Sequence, residues 1–239
     1  MEFTYEAYEM LLYDLKDRGY LLIPFGKKLN LPYHRAIIRH DIDISPVKAV
    51  KIAEIEDNAC VQGTYFFMLT SEFYNLLDKE NEYALRKISR LGHHIGLHFD
   101  VTKYDAYSVK SLETYVIREL RILQDIVGAP VNALSWHMPD PRFVGTRLDF
   151  LEKLGIINSY DPEYIGEYKY ISDSNMNWRD DPYAYMNTAV FPKLQILTHP
   201  VWYSETAMPK EDIIRSHIRC SNKKAIRYLE VISPGSFSI

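Results

Sequence analysis

Two hydrophobic rhythms alternate along this chain. A three-and-four spacing sets Tyr5, Tyr8, Leu11, Leu12 and Leu15 on one stripe and predicts a helix over 4–18. A short apolar run, Ala36 to His40, then predicts a strand. Ser45-Pro46 reads as an N-cap with proline at the first helical position, opening a helix to about residue 57. Thr64 to Met68 is β-branched and aromatic, a strand, and a helix near 79–91 precedes another apolar run at His94 to His98. The strongest helical pattern covers 108–127, where Val109, Leu112, Val116, Leu120, Leu123 and Val127 share a face; Gly128-Ala129-Pro130 ends it. Further strands are predicted at 131–136, 155–160, 168–172 and 194–198, with helices near 144–154 and 209–219.

Strands that alternate with helices imply a parallel sheet. About seven strands in 239 residues predict a (β/α) barrel, with an open doubly wound sheet as the alternative. Nothing resembling a linker, a repeat or a low-complexity segment divides the chain, so a single domain over 1–239 is expected.

Composition narrows the function classes. The chain is 47% hydrophobic and 25% charged with a net charge of −4, which fits a globular domain and argues against a nucleic-acid partner. Its lysines and arginines are scattered, and the pairs Lys27-Lys28 and Lys223-Lys224 read as solvated surface. No stretch approaches the ~20 apolar residues of a membrane span. The N-terminal residues are acidic where a secretion signal is basic, so the cytoplasm is expected. Two distant cysteines, Cys60 and Cys220, suggest neither a disulfide framework nor a thiolate metal site. The 19 tyrosines are the one compositional excess and give weak support for a wet, sugar-binding groove.

The chemistry lies at the ends of the apolar runs. The first ends in His40-Asp41-Ile42-Asp43, the third in His98-Phe99-Asp100, the fourth in His137-Met138-Pro139 and the last in Thr198-His199-Pro200. In a parallel β/α domain all these ends open on one face, so groups far apart in sequence meet there. Asp41 and Asp43, two apart on a strand, point to the same side. Two carboxylates so placed favour a divalent cation between them or a proton on one. His40 faces the other way, as a packed imidazole behind the site. His98, at the C-terminal end of its strand, is a candidate ligand; His94 lies deeper, and Gly96 between them allows a close approach near the site.

In this order the blocks resemble the polysaccharide deacetylase (NodB-homology, carbohydrate esterase family 4-like) family. The resemblance spans roughly 35–200, with helix 4–18 as an extension. It implies a distorted (β/α) barrel and a metal-dependent hydrolase that removes an N- or O-acyl group, acetyl foremost, from a sugar or sugar nucleotide. His40-Asp41-Ile42-Asp43 resembles the first motif, with Asp41 as catalytic base and Asp43 as metal ligand, or the reverse. Gly92 to His98 matches the second motif up to its first histidine, but Thr102 stands where a second ligand is usual. His137 stands where the third motif has an arginine, and it is inferred to supply the missing ligand. Leu197-Thr198-His199-Pro200 matches the last motif and makes His199 the general acid. Asp173, Trp178 and Arg179 resemble the block that lines the substrate groove. The implied cofactor is a divalent metal ion, Zn2+ first, with Co2+, Mn2+ and Ni2+ as alternatives. The HDxD form is also similar to a subgroup associated with bacterial surface-polysaccharide (O-antigen or capsule) biosynthesis.

Two other readings stand beside this one. Thr102 at the usual ligand position suits a deacetylase-like barrel that binds sugar without catalysis, while His199 argues for chemistry. A metal-free aldolase- or phosphate-binding barrel would need a strand-end lysine or a glycine-rich phosphate loop, and neither occurs.

Overall fold

A computed structural model describes residues 1–26, 34–105 and 108–234; Lys27 and Lys28 lie outside the described residues. The elements are α1 (Tyr5–Asp17), β1 (Leu21–Ile23), β2 (Arg35–Ile42), α2 (Pro46–Asn58), β3 (Thr64–Phe67), α3 (Lys79–Arg90), β4 (His94–Asp100) and α4 (Val109–Val127). Then follow β5 (Ala133–His137), α5 (Asp149–Lys153), β6 (Ile157–Asn158), α6 (Pro162–Gly166), β7 (Lys169–Ser172), β8 (Lys193–Thr198) and α7 (Lys210–Ile232).

The strands are all parallel, in the order β6-β5-β4-β3-β2-β8-β7, with β1 added along the first half of β2. This is the barrel expected from the alternation, in the distorted form that the resemblance implies. Among the described residues β6 and β7 do not pair, so the curled sheet stays open between them. Along β2 the side chains alternate as a two-residue period requires. Ile38 and Ile42 join the helix-side core with Leu11, Ile52 and Leu85, while Ile37 turns into the barrel against Phe25, Phe66 and Tyr168. Gly96 allows the close approach expected of it, made by a side chain of the protein: a Cβ there would lie 2.4 Å from the Phe66 ring, which fills the barrel floor.

Local chemistry fixes the best-read boundaries. The Ser45 hydroxyl accepts from Lys48 N–H at the start of α2, Ser108 and Ser111 form a reciprocal cap on α4, and Gly128 closes α4 at φ 72°. Three expectations shift. The helix near 144–154 begins only at Asp149, because Gly145 takes φ 68° and binds Tyr160 O. The strand at 155–160 contracts to Ile157–Asn158, since Gly155 adopts φ 67° and Asn158 Oδ1 accepts from Tyr160 N–H in a turn. The last helix runs on to Ile232 rather than stopping near 219.

Candidate active site

The C-terminal ends of β2, β4, β5 and β8 bring Asp41, Asp43, His98, His137 and His199 to one cavity of about 770 Å³. Asp43 stands at its centre. Its Oδ1 lies 3.0 Å from His98 Nε2 and 3.6 Å from His137 Nδ1, and those two nitrogens are 3.3 Å apart. Its Oδ2 lies 3.7 Å from His199 Nε2. Burial raises the Asp43 carboxyl, but His137 and His98 outweigh it and hold the group well below the usual carboxylate range. His137 moves the other way: burial disfavours its charge, yet Asp43 raises its pKa.

These three residues fit a divalent cation. One ligand atom from each lies within 4.8 Å of the others. Tetrahedral bonds of about 2.0–2.1 Å set ligand atoms ~3.3 Å apart, inside the 3.0–3.6 Å range found here. Asp43 Oδ1 is buried and accepts no properly aligned hydrogen bond, so its lone pairs remain available. Thr102, at the position where the resemblance led us to look for a ligand, turns away: its N–H and hydroxyl both bind Asp100 Oδ1, at 2.9 and 2.6 Å.

Asp41 has a different environment. Arg39, two residues earlier on the same barrel-facing row, donates to Asp41 Oδ2 at 2.7 Å. The guanidinium also donates to Ser135, Ser159 and Gln195, and sits 5.3 and 5.1 Å from the rings of Phe66 and Tyr160. Burial alone would raise Asp41, but Arg39 lowers it, leaving an ionised carboxylate with Oδ1 unpartnered. This clamp of four hydrogen bonds was not anticipated. Its signal was a cation inside an otherwise apolar strand, in step with Asp41.

His199 is fixed by Asp173. The Asp173 carboxylate accepts from His199 Nδ1 at 2.6 Å, from His199 N–H at 3.0 Å and from the Tyr203 hydroxyl at 3.1 Å. Burial works against a charged imidazole, yet Asp173, with Asp43 and Asp41, pushes its pKa up to about 9. The groove-lining role expected of Asp173 is therefore corrected: it is fully buried and its oxygens are occupied by His199 and Tyr203. Trp178 is also displaced from that role, since its ring stacks on Phe3 and does not line the cavity. Arg179 does line it, at an exposed position beside Tyr160, Tyr170 and Trp202.

Behind the sheet, His40 bridges Glu56 and Thr198 through its two ring nitrogens, at 2.9 and 2.7 Å. Glu56 also accepts from Tyr8 and Tyr65, so this buried network braces the residues next to Asp41 and His199. A second cavity, of about 670 Å³, opens at the other end of the barrel near Ile23, Ile37 and Tyr164.

No protein-family model matches the chain, and no curated protein matches it in sequence. Solved structures share its fold. IcaB from Ammonifex degensii aligns over 79% of this chain and 88% of its own, at 11% identity and a TM-score of 0.51. A family 4 carbohydrate esterase from Bacillus anthracis aligns over 90% and 86%, at 14% identity and a TM-score of 0.47. The chitin deacetylase from the fungal pathogen Colletotrichum lindemuthianum aligns over 85% and 86%, at 14% identity and 0.48. At such identities the likeness is one of fold, and the site must be argued from its own residues.

Proposed function

We propose that this protein is a hydrolase that removes an N- or O-acyl group, acetyl foremost, from a sugar or sugar nucleotide. It works with a divalent cation held by Asp43, His98 and His137. The observation that carries the reading is a cation-ligand set with an ionised carboxylate on one side and a protonated imidazole on the other. A bound cation supplies a Lewis acid for an acyl carbonyl and brings the pKa of water from 15.7 toward ~7. Asp41, kept ionised by Arg39, accepts a proton through its unpartnered Oδ1. His199, held as an acid by Asp173, donates from Nε2 to the departing amine or alcohol. Tyr160, Tyr170 and Trp202 give the cavity aromatic walls suited to a sugar ring, and Arg179 offers a charge to an anionic substituent. A role in surface-polysaccharide assembly rests on the form of the His40-Asp41-Ile42-Asp43 motif.

The test is acetate release from a panel of N- and O-acetylated sugars and sugar nucleotides. Release should stop with a chelator and return with added divalent metal. Asp41→Asn and His199→Ala should each lower kcat by about 10²–10⁴. Binding of these sugars without any acetate release would instead mark a non-catalytic sugar-binding barrel.

A further inference from the structure

α7 lies along the body of the protein as far as Lys224, which pairs with Glu80. Ile213 is the helix's single buried residue, and its Ser216, His217, Cys220 and Lys224 side faces the start of α2 and the Asn75–Asn81 segment. The rest of this 23-residue helix stands in solvent. On a helical period the face turned away from the body carries the exposed Ile218 and the half-buried Ile226 and Leu229, interleaved with Arg215, Arg219 and Asn222. Ile232, exposed by 58%, adjoins the apolar row at the far end, and Tyr228, exposed by 66%, lies on another side of the helix.

Arg215, Arg219, Lys223 and Arg227 form a row at four-residue steps. Like charges so spaced repel, and among the described residues none of the four makes an ion pair. From Arg215 to Ile232 the helix holds Arg215, Arg219, Lys223, Lys224 and Arg227 against Glu230 alone, within a chain of net charge −4. The apolar row by itself would also suit a second copy of the chain. The positions flanking it are Arg215, Arg219 and Asn222, with Glu230 the one carboxylate, at its far end, so two such helices would face each other with a net like charge.

We propose that α7 docks the protein on an anionic lipid surface, lying in the interface with its isoleucines and leucine in the acyl boundary and its cations among the headgroups. Among the described residues no helix is long and apolar enough to cross a membrane, so the contact is with the surface only. The inference is independent of the proposed reaction, since no residue of α7 lines the cavity at the barrel mouth.

Flotation with vesicles of phosphatidylcholine, with and without phosphatidylglycerol, tests it. Full-length protein should float with the anionic vesicles only, and high salt should release it. Arg215→Gln/Arg219→Gln/Lys223→Gln should weaken binding by about 10²-fold, at about fivefold per cation. Ile218→Ser/Leu229→Ser should weaken it too, while acetate release from a soluble acetylated sugar stays unchanged in both variants. These positions are on the surface, so circular dichroism and Tm of the globular body should not move. Three results would overturn the proposal. One is absence of binding to anionic vesicles. Another is binding to heparin that the serine variant leaves intact, which would mark a non-lipid polyanion. The third is a dimer in sedimentation that dissociates on Ile218→Ser/Leu229→Ser, which would mark a second copy as the partner.

Discussion

Arg39→Met is the most informative stability perturbation. The wild-type guanidinium is fully buried and makes hydrogen bonds to Asp41, Ser135, Ser159 and Gln195. Methionine has a similar length but no donors, so Asp41 would be left 4% exposed with only a 3.5 Å contact from Ser135. Removing one member of a buried pair costs about 3–5 kcal/mol, because the other charge stays uncompensated. The sign with pH follows from Asp41. In the wild type its pKa is lowered, so its contribution is present above the usual carboxylate value and lost as pH falls through the lowered one. In Arg39→Met burial still raises the pKa and only His98 and His199 still lower it, so the Asp41 pKa moves up and less of its contribution survives toward neutrality. The gap between the two proteins should therefore be widest near neutrality and narrow in acid. Urea denaturation of wild type, Arg39→Met, Asp41→Asn and the double variant would close the cycle. A cost below about 1 kcal/mol for Arg39→Met, or the same cost with Asp41→Asn present, would refute the pairing as the organising contact of the barrel interior.

Asp173→Asn should keep the fold and lower kcat by about 10²–10⁴, because His199 loses the acceptor that fixes its ring and raises its pKa to about 9. The alkaline limb of its pH–rate profile should move down toward the ordinary histidine value, and an unmoved limb would contradict the assignment. Glu119 is buried on α4 beside the Tyr104 hydroxyl, and burial pushes its carboxyl from 4.5 up to about 7. A raised carboxylate favours the fold below its unfolded pKa and loses that contribution as pH rises through the folded value. Glu119→Gln should thus flatten the fall in stability between about pH 4.5 and 7, by at most about 3 kcal/mol, and an unchanged slope in thermal melts would contradict it.

What could be read from the sequence was whatever a period or a strand end reports. The amphipathic stripe of α4, the caps at Ser45 and Ser108, and the parallel order of the strands are local signals, and local geometry obeys them. The meeting of Asp43, His98, His137 and His199 followed from one topological fact, that parallel strand ends share a face. Side-chain partnership was not legible in the same way. Asp173 follows a strand as a groove residue would, and only its three-dimensional contacts with His199 and Tyr203 show it to be internal. Arg39 and Glu56 were missed because their partners lie on other strands and helices. The cations of α7 looked scattered because a four-residue step is a row only on a helix longer than the one expected there.

The central claim, a divalent cation held by Asp43, His98 and His137, is tested most directly by elemental analysis of protein purified without chelator. Wild type should carry about one ion per chain. Asp43→Ala, His98→Ala and His137→Ala should each lose it, whereas Thr102→Ala should retain it. An empty wild type that takes up no added Zn2+, Co2+, Mn2+ or Ni2+, or full retention in any of the three ligand variants, would contradict the account.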